Sequence, residues 1–238
     1  MIYVIYVYVF ILGASLGSFL NVLASRLPRN ISILGRSRCS SCNHTLGLLD
    51  LFPIFSFIFL RGRCRYCKKR ISVIHPIFEM ICSSVLLAFV IKLSFVFSLA
   101  NTLVLILVLT LLLIALTDYY YQIILDEYLV LVFIIGLLLN FTNLFQVLPS
   151  AFFGAFLFWL VYFWSKGTAM GYADIKYVFV VGFVLSFSLL FLGIYLAFLT
   201  GGVVSAILIL MRQKKMKSTI AFGPFLSVGF LMALWQLI

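Results

Sequence analysis

Residues 177–211 run without a single charged side chain, and residues 101–117 do the same. A soluble domain of 238 residues could not hide that much apolar surface. With 65% of its residues hydrophobic and only 10% charged, the chain reads as an all-α polytopic membrane protein. Each span needs about 20 mostly apolar residues to cross about 30 Å of hydrocarbon. Every backbone polar group must be paired within the span, which selects helices. There is no alternation of period two to suggest a barrel.

Charges, prolines and polar breaks divide the chain into about eight expected spans: 2–24, 75–91, 99–117, 127–141, 148–165, 175–187, 189–211 and 221–238. The run 175–211 is split in two because it is long for one helix, and because two crossings keep its flanking basic loops on one side. The first segment lacks a basic n-region and is followed at once by Arg26 and Arg29, so it is expected to stay as a helix. Ten of the seventeen Lys and Arg residues lie in 25–74; Lys166, Lys176, Arg212, Lys214, Lys215 and Lys217 fall on the same face of this map, leaving Lys92 opposite. The positive-inside rule makes that face cytoplasmic and places both ends outside. A net charge of +11 set in loops beside spans, without an interleaved aromatic surface, fits an anionic bilayer and not nucleic acid. Three parts follow: 1–24 as a first helix, 25–74 as a small cytoplasmic domain, and 75–238 as a membrane-embedded domain of about seven helices.

Residues 25–74 hold Cys39-Ser-Ser-Cys42 and Cys64-Arg-Tyr-Cys67. Two C-x2-C pairs offer four thiolates for tetrahedral zinc, and four protein ligands leave no open position, so the role is structural. The alternatives are two disulfides or free thiols, which a reducing cytoplasm opposes for the former. His44 could stand in for one thiolate or be an ordinary loop histidine. Cys82, alone in a span, reads as a packing residue.

Only six acidic side chains occur, and Asp118 and Asp174 stand at the ends of apolar segments. A charge at membrane depth costs about 2.5 to 3.5 kcal/mol, which makes each a functional candidate. Two carboxylates within a few Å cannot both ionise, so one keeps a proton while the other activates water, the chemistry of an aspartic protease. Gly171, beside Asp174, would permit close approach of backbone or substrate. The competing view makes Asp118 a helix end and Asp174 an N-cap with Lys176 as a surface partner. Asp126 reads as a cap of the fourth span. Glu79, after His75-Pro76, is either a helix-start acid or a functional one, and Asn21 is a buried amide that could orient a carboxylate or a substrate. Gly13 and Gly17 suit close helix packing.

The stretches GASLGSFLNVLASRLP at 13–28, the two Cys pairs, HPIFE at 75–79, TDYYYQIILD at 117–126, GYADIK at 171–176 and AFGPFLSVG at 221–229 occur in one order along nearly the whole chain. In this the sequence resembles the type IV prepilin peptidases. The resemblance implies an aspartic endopeptidase of the bacterial plasma (inner) membrane that cuts the basic leader of prepilins or pseudopilins on the cytoplasmic side, after a Gly. It implies Asp118 and Asp174 as the catalytic pair, and S-adenosylmethionine as donor for N-methylation of the product. Two residues depart from the family pattern: Ala173 replaces a Gly, and Leu125 replaces a Pro. A basic leader meets a basic face here, so Glu79, Asp126 or Glu127 is expected to supply local negative charge, or anionic lipid to concentrate both partners. The rival class is a transporter or channel component using Asp118 and Asp174 as a proton or cation relay. No motif fixes an oligomeric state, or whether the substrate serves pili, secretion or DNA uptake.

Overall fold

The computed structural model describes residues 2–39, 41–96, 98–168, 170–211 and 220–238. The basic cluster Arg212, Lys214, Lys215 and Lys217 lies outside them. The described residues form nine α-helices: α1 (Ile2–Arg26), α2 (Phe55–Phe59), α3 (Ile74–Lys92), α4 (Leu99–Tyr121), α5 (Asp126–Leu139), α6 (Leu144–Ser165), α7 (Tyr172–Val181), α8 (Phe187–Leu210) and α9 (Gly223–Leu237). The segments expected as spans fall on helices, except that 175–187 is helical only to Val181, and the membrane-protein class stands. Among the described residues, fewer helices than eight have the length of a span. Five helical stretches are long and apolar enough to cross a membrane: Tyr3–Arg29, Ile74–Lys92, Leu99–Tyr121, Phe141–Ser165 and Phe187–Leu210; Gly223–Leu237 is apolar but shorter. At 14 and 10 residues, α5 and α7 rise only about 21 and 15 Å. The five-residue α2 was not expected at all.

The chain divides into two compact units, Met1–Phe95 and Val96–Ile238. In the first, α1 packs along α3. Gly13 and Gly17 make the seam: a Cβ at Gly13 would stand 2.7 Å from the Ser83 Cα, and one at Gly17 2.9 Å from the Cys82 Cβ. The backbones approach because nothing lies between them. Cys82 is buried there as a packing residue.

In the second unit α4 packs on α5 and α9, α7 on α5 and α6, and α8 on α6 and α9. Val108, Ile114, Val132, Leu190, Leu226 and Phe230 are fully buried in it. The apolar run 175–211 breaks at 182–186, inside this packing. Ending a helix there frees carbonyls that lipid cannot pair. Side chains from neighbouring helices meet them: Asn140 Nδ2 donates to Phe183 and Val184 at 3.0 and 3.2 Å, and Ser150 Oγ, with a single proton to give, lies 2.8 and 3.0 Å from the Gly182 and Leu185 carbonyls as well as 2.6 Å from the Val147 carbonyl of its own helix. The break survives because polar groups of α6 and of the α5 terminus meet it.

Candidate active site

Asp118 sits in the last turn of α4. The helix ends just beyond it, where Gln122 adopts φ 55° and its N–H caps the Asp118 carbonyl at 2.8 Å. The side chain is 6% exposed, and its Oδ2 accepts the backbone N–H of Gly223 at 2.8 Å. Gly223 is the first residue of α9, so an N-terminal helix dipole points at this carboxylate. A Cβ on Gly223 would fall 2.6 Å from that Oδ2, so any other residue would force the carboxylate or the start of α9 to shift. The sequence marks the Gly-Pro pair only as part of the AFGPFLSVG stretch and assigns it no place beside Asp118, because its partner lies 105 residues away.

Asp174 occupies the first turn of α7, 8% exposed, and its Oδ2 accepts the Gly171 N–H at 3.1 Å. Gly171 itself is the N-cap, with ordinary extended angles of −79° and 151°. A Cβ there would reach Asp174 Oδ2 at 3.5 Å, a normal contact. What Gly171 offers Asp174 is its N–H. The charge of Asp118 acts on Asp174, and both act on Tyr177, which is fully buried and hydrogen-bonded to Ser227 at 2.8 Å. Helices α4, α7 and α9 thus bring two carboxylates and a tyrosine together, each carboxylate with one oxygen held by a backbone N–H. Tyr177 and Ser227 had no signal in the sequence beyond being polar in apolar helices.

Asp126 and Lys176 form a separate, exposed pair at 2.8 and 3.1 Å, and the ammonium also lies 5.6 Å from the Tyr172 ring centre. Asp126 is the first residue of α5, with Leu125 at the N-cap position. Lys176 therefore faces Asp126. In the first unit, Asn21 Oδ1 meets His75 Nδ1 at 3.2 Å and its Nδ2 donates to the Gly17 carbonyl. Glu79 is buried in α3 and its Oε2 accepts the Ile54 N–H at 2.8 Å. It lies beyond the first turn and holds a loop.

The four loop cysteines, Cys39, Cys42, Cys64 and Cys67, converge. Their sulfurs all lie within 4.8 Å of one another, with Cys39 and Cys67 at 3.9 Å. Four sulfurs about 2.3 Å from a tetrahedral zinc stand about 3.8 Å apart, so the set fits a metal. The two knuckles share one backbone pattern. Cys39 N–H donates to His44 and Asn43 N–H to Cys39; Cys64 N–H donates to Lys69 and Lys68 N–H to Cys64, with Asn43 and Lys68 both left-handed. His44 is turned against the Tyr66 ring, 3.7 Å between centres. Backbone N–H groups of Ser41 and Cys42 lower the Cys39 thiol to about 6, towards the thiolate a metal needs.

Residues 11–93 match the bacterial peptidase A24 N-terminal domain, and residues 105–206 match the type IV leader peptidase family. A prepilin leader peptidase/N-methyltransferase of Pseudomonas putida is 30% identical over 257 aligned positions, covering 94% of this chain and 88% of that protein. The chain belongs to the type IV leader peptidase family. A protein of the same name from Bacillus subtilis is also 30% identical, with 94% and 91% covered, and one from Aeromonas hydrophila 29%, with 95% and 89%. No solved structure matches. Both departures from the pattern of this peptidase family sit easily in the fold. Ala173 lies in the first turn of α7, where a methyl favours helix. Leu125 has φ −75°, a value proline also takes.

Proposed function

We propose that this family member is a membrane aspartic endopeptidase that cleaves the basic leader of prepilins or pseudopilins, with Asp118 and Asp174 as its catalytic pair. The observation that carries the reading is the arrangement of those two carboxylates: buried, electrostatically linked, and each with Oδ2 engaged by a backbone N–H. The remaining oxygens are then free to share one proton and to hold a water between them. One carboxylate takes a proton from that water as it attacks the scissile carbonyl, and the other gives its proton to the developing oxyanion. Collapse of the tetrahedral intermediate returns a proton to the leaving amine.

The basic loop segment supports a cytoplasmic active site in the bacterial inner membrane, by the positive-inside rule. In this scheme 25–74 is a domain built on four zinc-bound cysteines, its metal structural, and 75–238 carries the peptidase. Of the acids expected to meet the leader, Asp126 is neutralised by Lys176 and Glu79 is occupied by Ile54, which leaves exposed Glu127. Methylation of the new N-terminus rests on the double name of the relatives. The donor, S-adenosylmethionine, is a poor fit to the described cavity of about 400 Å³, whose lining of Arg61, Arg63, Arg65 and Lys68 would face a cationic sulfonium.

Co-expression with a prepilin-like substrate and mass spectrometry of the substrate's N-terminus tests the reading. Asp118→Asn and Asp174→Asn should each abolish cleavage, and retained cleavage in either would sink the dyad. A proton or cation relay predicts ion flux without any cut. The same spectrum reports a methyl group.

A further inference from the structure

Glu79 ties one edge of the loop domain to α3. It stands five residues inside α3 from Ile74, about 7.5 Å below the start of a helix that itself spans about 28 Å. Its carboxylate holds the Ile54 N–H at 2.8 Å, so the turn at Ile54 hangs beside the outer turns of a membrane-crossing helix. Ile54 has φ 63° and ψ −53°, and the Phe55 N–H reaches back to the Pro53 carbonyl at 2.6 Å. This is a γ-turn of the rare, strained kind, at a β-branched residue. The segment it starts turns its apolar side chains outward. Phe52 and Phe55 are exposed, Ile58 is 65% exposed and Phe59 83%, while Phe57 folds inward over Gly62. Directly after them come Arg61, Arg63, Arg65 and Lys68, which with Leu60 and Cys64 line the cavity of about 400 Å³. Arg65 is tied to Asp50 at 2.7 Å, which holds that rim in place.

We propose that this edge is an interfacial membrane anchor: Phe52, Phe55, Ile58 and Phe59 enter the boundary between headgroups and acyl chains, and the cationic cavity beside them takes the phosphate of an anionic phospholipid. A depth of about 5 to 10 Å is where amphipathic elements settle in a bilayer, and Glu79 sets the turn at that level. Arginine matches a lipid phosphate in geometry as well as charge. The anchor is independent of the peptidase reading, since it concerns only the first unit.

Photocrosslinking of the full-length protein tests it, in vesicles of phosphatidylcholine with equal phosphatidylglycerol. The probe is p-benzoylphenylalanine in place of Phe59, with the same probe at Phe55 as a second position should the first not accumulate. Lipid adducts are expected as the main product. Their yield should fall several-fold in phosphatidylcholine alone, and again in the Arg61→Gln/Arg63→Gln variant, since each arginine near an anionic surface is worth about fivefold. A dominant cross-link to residues 96–238 or to a second copy of the chain would overturn the anchor. Lipid adducts indifferent to both lipid charge and the two arginines would overturn the phosphate site.

Discussion

Gly223→Ala gives the sharpest test of how Asp118 is held. The new Cβ would stand 2.6 Å from Oδ2, 2.9 Å from Cγ and 3.0 Å from Cβ of that side chain. Comfortable carbon contacts begin at about 3.5 Å, so the carboxylate or the start of α9 must retreat by roughly 0.9 Å. Misplacement of a reacting group by about 1 Å costs on the order of 100-fold in rate. Loss of the N–H from Gly223 to a charged oxygen, about 1.5 to 3 kcal/mol, converts to about 10- to 100-fold. Both routes predict a kcat one to two decades down with KM little changed. Two other glycines serve as controls. Gly202 has open space around it, and Gly171 leaves ordinary room beside Asp174, so Ala at either should cost little. Initial rates of leader cleavage by purified protein in proteoliposomes measure all three. If Gly223→Ala works within about threefold of the parent while Asp118→Asn is dead, the account of Asp118 as a carboxylate clamped by the α9 terminus is wrong.

Cys64→Ser should lower bound zinc, read by elemental analysis, and open the 25–74 segment to protease. Acidification should release the metal as well, because protons compete with it for the four thiolates; bound zinc, read by the same elemental analysis, should fall as pH drops below neutral. Lys176→Met removes an exposed ion pair with Asp126, worth less than about 1 kcal/mol, and should leave cleavage within a few-fold; a loss as large as that of Asp174→Asn would place the lysine in the chemistry. Ser150→Ala removes the one hydroxyl proton within reach of the Gly182 and Leu185 carbonyls and should destabilise the second unit by about 1 to 3 kcal/mol, measured as a lower thermal midpoint in detergent.

The helices were legible because apolar runs bounded by charge and proline leave little choice in lipid, and the cysteine cluster because four thiols in two knuckles have few other uses. What the chain hid was contact across sequence. Gly223 and Asp118 are too far apart for any local pattern to join them, and Lys176 looked like a neighbour of Asp174 until the fold turned it to Asp126. The shortness of α7 was hidden too, since 175–211 reads as uninterrupted apolar chain and its stop depends on Ser150 and Asn140 from elsewhere. Glu79 stayed open between a helix-start acid and a functional one for the same reason: its partner, Ile54, sits in a loop with no strong pattern of its own.

That stop at the far end of α7 bears on its near end. A ten-residue helix is stiff along its axis, and the carbonyls of the break just beyond it are held by Ser150 of α6 and by Asn140 at the end of α5, so α7 works as a short strut clamped at its base. Asp174 lies near the other end, about 12 Å from Gly182. Sliding or tilting of the strut would move the carboxylate relative to Asp118, and the clamp forbids both. Ser150 and Asn140, which touch neither aspartate, therefore set the tolerance to which the pair is assembled.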